Sequence, residues 1–273
     1  MKAFKKTPET ERAENPRVRS EKRYFFKVNL YRILIAVLFL VLWELVSGPL
    51  IRPFFISKPS AIAATLVKWM SNGSLLFHLQ ITMLEMMIGF GLGCFLAIGA
   101  GYVLGMQETL AEVITPYITA LYGLPRVAIA PLFVIWFGIE MPSKIALVTV
   151  VIFFLVFFNV FTGVRDVNPE LVKVVRLMGA GKIQVFNKVI VPSTYIWIFS
   201  AMKVAVPRAL IAAVVGEMIS ANRGLGFLVA YMAGNYDTTG IFAAIFVLVI
   251  LAVSLAYGIN QMEEYFSRWK SVG

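Results

Sequence analysis

The chain has 273 residues, 59% of them hydrophobic and 15% charged, and carries a net charge of +10. A soluble domain this apolar would expose too much sticky surface, so the composition points to an integral membrane protein of one domain. A single cysteine, Cys94, excludes an internal disulfide, a single histidine, His78, cannot build a His-based metal site, and the basic residues cluster at the ends of apolar runs, which argues against a nucleic-acid surface.

Residues 1–28 are polar and basic and read as a flexible cytoplasmic tail; their distance from the first apolar run argues against a cleaved signal peptide. The apolar, membrane-embedded region then occupies 29–273. A first span is expected at about 30–50, with Glu44 near its outer end as a paired or snorkelling acid rather than a transport residue. Outside, Lys58-Pro59 marks a turn before a short amphipathic helix that ends near Trp69.

The second span, about 80–106, carries Gly89, Gly93, Ala97, Gly101 and Gly105 at every fourth position. Residues four apart share a helix face, so another helix can approach closely there. Static packing within the subunit is the favoured use, over a moving or dimer-forming contact. The third span, about 111–137, is interrupted by Pro116, Gly123, Pro125 and Pro131. Such a break frees backbone groups that must line a cavity or find protein partners, and Arg126 sits at it. The fourth span is about 144–164, where Asn159 is expected to bond to a neighbouring helix. A fifth span at about 194–215 contains Lys203 and Arg208, with Pro207 expected to kink it. Gly224-Leu225-Gly226 forms a tight turn, and a sixth span runs from about 241 to 259.

Between the fourth and fifth spans lies 166–192. Asp166 or Asn168 can cap a helix that starts at Pro169, and Gly179 and Gly181 can end it. Leu171, Val174, Val175 and Met178 make an apolar stripe on that helix. A helix held this way between two spans needs another surface to cover its stripe, either a soluble partner or the lipid headgroups. Six spans put both termini in the cytoplasm, and 17 of the 25 basic residues then fall on the inner side.

The 166–192 stretch resembles the cytoplasmic loop of binding-protein-dependent ABC importer permeases. That loop reads Glu-Ala-Ala, three residues, Gly, nine residues, then Ile-x-Leu-Pro. Here the frame holds Lys173-Val174-Val175, Gly179 and Val189-Ile190-Val191-Pro192. Spacing, Gly179 and Pro192 agree; the acid is replaced by Lys173 and both alanines by valine. LPRVAIAPLFVIWFG (124–138) and GEMISANRGLG (216–226) are similar to the branch that imports nitrate, sulfonates and taurine, and the likeness runs from about Trp43 to the C-terminus.

The resemblance implies an all-α type I ABC importer permease with six transmembrane helices, working as a dimer in the bacterial inner membrane. Glu170, Lys173, Val174, Val175, Arg176, Gly179 and Pro192 would then belong to the loop that docks an ATPase. Pro125, Arg126, Lys203, Arg208 and Glu217 are candidates for the translocation path or gate. A second copy of the chain, two cytoplasmic ATPase subunits and an extracytoplasmic binding protein are the implied partners, and the solute is expected to be a small anion. No cofactor is expected in this chain. Gly179-Ala180-Gly181-Lys182 is not a phosphate loop, since Arg176 and Ile183 stand where Gly and Ser or Thr are needed. ATP and Mg are accordingly expected on the partner ATPase.

Two uses of the intramembrane bases stay open at this stage. They attract an anionic substrate, or they pair with Glu85, Glu217 or backbone carbonyls and hold the gate together; Glu217 and Arg223 are themselves a candidate structural pair or gate latch. An ion-gradient-driven transporter is the main alternative function, although no ion relay or inverted repeat is evident.

Overall fold

The structure, a computed structural model, describes residues 16–267; the first 15 residues of the basic tail and the final six, with Arg268 and Lys270, lie outside the described residues. The chain divides into two units, 1–61 and 62–273. The first unit holds α1 (Pro16–Val46). This helix starts well before residue 28, so the second half of the expected tail is helical. Proline at the first helical position, followed by Arg, Glu and Lys, suits a helix start. At the other end of α1, Glu44 accepts hydrogen bonds from the backbone N–H (3.0 Å) and hydroxyl (2.7 Å) of Ser60. It is therefore the paired acid expected.

The short helix α2 (Pro59–Ser71) leads into α3 (Ser74–Met106), α4 (Glu108–Tyr122), a 3₁₀ turn (Arg126–Ile129), α5 (Ala130–Phe137) and α6 (Met141–Arg165). Then come α7 (Pro169–Leu177), α8 (Lys182–Val185), a π turn (Phe186–Ile190), α9 (Val191–Ile219), α10 (Leu225–Gly234) and α11 (Thr238–Ser267). Among the described residues, five helices are long and apolar enough to cross a membrane, and the pair α4/α5, bent by 84° at the expected proline break, gives six spans when counted as one.

The stripe of small residues on α3 settles against α6 within the subunit. A methyl group placed on Gly89 would lie 2.6 Å from Cβ of Val148, and Gly93, Gly101 and Gly105 stand equally close to Ile152, Val160 and Val164. The partners rise in the same order along both helices, so α3 and α6 run parallel, with α4 and α5 returning the chain between them. This close approach buries Ile152, Val156, Phe157 and Val160 completely. On the other side of α6, Gly163 meets the Trp197 side chain of α9. Asn159 does not reach a neighbouring helix; its amide donates to the Leu155 carbonyl of its own helix at 2.8 Å, which satisfies it locally.

Pro192 shapes the entry to α9. Its ring would collide with the carbonyl of Lys188 in a regular helix, and the widened π turn immediately upstream relieves that clash. Tyr102 of α3 then ties the start of α9 down through a 2.6 Å contact between its hydroxyl and that of Thr194.

Candidate functional site

Three features carry chemistry, and they sit at different heights of the bundle. The first is α7, between the exit of α6 and the entry of α9. Asn168 caps it as expected, its side-chain oxygen accepting from the N–H of Glu170 at 2.8 Å. Gly179 adopts φ +88°, the left-handed conformation that ends the helix, and Ala180 N–H closes the turn onto Val175 O at 3.2 Å. The apolar residues split between two faces, which the single stripe read from the sequence did not separate. Val172 and Val175 lean on the core. Leu171, Val174, Leu177 and Met178 face outward, and the last two are 88% and 81% exposed. Ile183 of α8 adds to the same outward apolar surface at 77% exposure. Glu170, Lys173 and Arg176 are exposed around it.

The second feature is the broken span. Pro125 ends the extended link after α4, and Arg126 begins the 3₁₀ turn. The guanidinium donates to the Tyr122 carbonyl at 2.9 Å and lies over the Tyr122 ring (4.5 Å) and towards the Phe154 ring of α6 (5.7 Å). Its buried Nε has no hydrogen-bond partner among the described residues. Arg126 thus pairs with neither Glu85 nor Glu217; its charge is held by two aromatic faces and the carbonyl exposed by the break. Lys203 and Arg208 are exposed on α9. Pro207 does not interrupt α9, which is helical from Val191 to Ile219. The proline lies on the exposed face, opposite the alanines that pack against the other helices.

The third feature is a buried polar cluster at the end of the bundle away from α7. Thr82, Glu85, Lys144 and Glu217 are all at most 2% exposed, and they come from α3, α6 and α9. Glu217 accepts from the Thr82 hydroxyl at 2.7 Å and from the Gly226 N–H at 2.6 Å. Leu225 N–H donates to Thr82 Oγ1 at 2.8 Å, and Gly224 N–H to His78 Nδ1 at 3.0 Å. Glu85 faces Glu217 and Lys144. The ammonium of Lys144 donates to the Ile139 carbonyl and, at 3.2 Å, to that of Glu140. The start of α10 is therefore stitched to α3 by its own backbone. Gly224, at φ +108°, is required here, because a methyl group on it would collide with the Glu217 carboxylate.

The expected pairing of Glu217 with Arg223 is not formed. Arg223 bonds to Glu140 at the start of α6, and Glu217 is turned inward to Thr82. Lys144, Thr82 and His78 were not singled out from the sequence for this role. The one sequence signal was the Gly224-Leu225-Gly226 turn beside Glu217, since paired glycines next to an acid allow backbone N–H groups to converge on it.

Residues 89–271 match the family described as the binding-protein-dependent transport system inner membrane component. The chain belongs to that family. Among curated relatives it is similar to the formylaminopyrimidine transport permease protein ThiX of Halalkalibacterium halodurans, with 30% identity over 86% of this chain and 93% of the relative. It is 26% identical to the putative aliphatic sulfonates transport permease protein SsuC of Bacillus subtilis, over 92% and 90%. Among solved structures, an inward-facing form of the MetNI methionine ABC transporter superposes with a TM-score of 0.62 at 16% identity, over 70% of this chain and 95% of that one. This ABC importer permease is thus a multi-pass inner-membrane protein with the type I importer fold, and the relatives named here are transport permeases.

Proposed function

We propose that this permease forms a homodimer that moves a small anion into the cell, driven by two ATPase subunits that dock on its two α7 helices. ATP and Mg belong to those subunits, and a binding protein delivers the solute from outside. Both termini face the cytoplasm in this reading, which places α7 inside and the Glu217 cluster at the outer end. The observation that carries it is the outward apolar surface of Leu171, Val174, Leu177, Met178 and Ile183, ringed by charge and mounted on a rigidly capped helix. An apolar patch of this kind, rimmed by polar residues, fits a protein partner. Its backing by Val172 and Val175 on the core gives a route by which movement of the partner reaches α6 and α9.

The sulfonate transporter among the relatives and the bases on α9 favour an anion; the formylaminopyrimidine relative leaves an uncharged heterocycle as the competing solute. Native mass spectrometry of the tagged chain, purified in mild detergent from the cells in which it occurs, tests the assembly. Two copies with two ATPase subunits are expected. A chain that runs alone, with no nucleotide-hydrolysing partner, contradicts the proposal.

A further inference from the structure

The helix α4 is held to the bundle along one stripe, where Leu110, Ile114 and Ile118 lean on the core. About 100° further round the helix lies a second stripe, Ala111, Thr115 and Thr119, with Glu112 and Pro116 beside it. This second stripe does not close on its neighbour. It faces Phe161 and Arg165 of α6 across an open groove of about 410 Å³.

The chemistry of the groove changes along its length. Its mouth lies at the α7 end of the bundle, where α4 begins at Glu108 and α6 ends at Arg165. There the Arg165 guanidinium lies over the Phe161 ring (5.6 Å) and meets Glu108 only at 3.8 Å, so most of its five N–H groups are uncommitted. Glu112, exposed on the same groove, makes no ion pair among the described residues. Further in, the Thr115 hydroxyl is buried with no hydrogen-bond partner among the described residues. Glu112 to Thr119 covers about 10 Å of helix rise, so the groove starts at headgroup level and runs into the hydrocarbon. Pro116 and Phe161 make that deeper part apolar.

We propose that this groove holds one inner-leaflet aminophospholipid, with its phosphate on Arg165, its ammonium on Glu112 and an acyl chain along Pro116 and Phe161. The proposal rests on the reading above for one point, that the α7 end is the cytoplasmic one. Charge selects the occupant. Glu108, Glu112 and Arg165 ring the mouth, so an acidic phospholipid without an ammonium meets two carboxylates and one guanidinium, whereas a zwitterion matches both signs. A primary ammonium also donates N–H bonds to a carboxylate, which a quaternary one cannot. A soluble zwitterion with the same headgroup would leave the apolar half of the groove empty. The lipid fills the gap between α4 and α6 and so supports the first arm of the broken span.

The test is native mass spectrometry of the full-length permease complex in detergent, titrated with defined lipids. Phosphatidylethanolamine is expected to bind about tenfold more tightly than phosphatidylglycerol, the equivalent of one charge-assisted hydrogen bond, with phosphatidylcholine between them. Glu112→Gln should abolish that preference; the side chain is exposed and unpaired, so folding is not at stake. Arg165→Gln should weaken all three lipids by about tenfold or more, and Arg165→Lys, which keeps the charge, should recover most of the binding. Equal affinity for phosphatidylethanolamine and phosphatidylglycerol in the starting protein, a preference that survives Glu112→Gln, or unchanged binding in Arg165→Gln overturns the proposal. Binding of water-soluble glycerophosphoethanolamine at the lipid's own affinity overturns the lipid and leaves a site for a small zwitterion. Thr119→Cys in a Cys94→Ala background that crosslinks two copies puts a second chain in the groove and also overturns it. A micelle presents lipid to both ends of the bundle, so these outcomes do not depend on which end is cytoplasmic; ATP-driven uptake by the reconstituted complex reports on the permease reading separately.

Discussion

Thr82 of α3 and Glu217 of α9 share a buried 2.7 Å hydrogen bond, and the Thr82 oxygen also receives the N–H of Leu225. One hydroxyl thus joins two spans and the first turn of α10. It has a single proton, and Glu217 takes it; the His78 carbonyl, at 3.2 Å, is the poorer acceptor. Removing it leaves both the Glu217 carboxyl and the Leu225 N–H short of a partner in a buried site. Thr82→Val, which keeps the shape, is expected to destabilise the permease by about 1–3 kcal/mol. Glu217→Ala, which strands Gly226 N–H as well as the Thr82 hydroxyl, is expected to cost more, about 1–3 kcal/mol for each stranded group. Melting of the detergent-solubilised protein, followed by size-exclusion, checks the order. Equal melting of wild type and both variants contradicts it.

Gly224→Ala is expected to disturb the same cluster without touching a polar group. The added methyl meets the Glu217 carboxylate in a backbone conformation that L side chains avoid. Limited proteolysis read for cleavage in 220–235 should show earlier cutting than in wild type, while the α3/α6 core remains protected.

Arg126 and Arg208 are expected to separate by function. Arg126 is a positioning residue, so Arg126→Lys, which keeps a cation over Tyr122, should retain folded complex, and Arg126→Gln should lose about 1–2 kcal/mol of stability from the cation–π contact. Arg208→Gln should melt as wild type does and lower uptake, with binding-protein-stimulated ATP hydrolysis persisting. Loss of hydrolysis and uptake together in Arg208→Gln contradicts this division.

The proline break at Arg126, the small-residue stripe of α3 and the capped α7 could all be read from the sequence, because each depends on neighbours within one turn or one helix. The stripe's partners, Val148, Ile152, Val160 and Val164 of α6, could not be named, since nothing local fixes the register of two helices separated by a broken span. Lys144 was missed for a similar reason. On its own it marks a helix start near the membrane surface, and only the meeting of α3, α6 and α9 puts it beside Glu85. The Glu217–Arg223 pairing looked reasonable from six residues' separation, yet the turn at Gly224 points the two side chains in different directions.

At α7, Gly179→Leu is expected to leave insertion and dimerisation intact and to uncouple transport. A side chain at Gly179 meets no atom within 4 Å, so the cost comes from the backbone, of the order of 1–2 kcal/mol, and it falls on the orientation of α7. Lys173→Glu, an exposed charge reversal, is expected to change uptake little, since such a surface charge is worth about 1 kcal/mol or less. Uptake by both variants, alongside ATP hydrolysis in the same vesicles, distinguishes uncoupling from loss of the complex. Wild-type uptake by Gly179→Leu removes this turn from the mechanism.

The central claim is that movement of the spans is driven through α7 by a partner that hydrolyses ATP. Its most direct measurement uses Leu177→Ser/Met178→Ser in proteoliposomes that hold this permease, its ATPase subunits and its binding protein. Wild-type vesicles should take up solute only with ATP and Mg, and imposed proton or sodium gradients should not replace them. The double variant should lose bound ATPase and uptake together while remaining folded. Uptake driven by an ion gradient without ATP, or full ATP-dependent uptake by the double variant, contradicts the account.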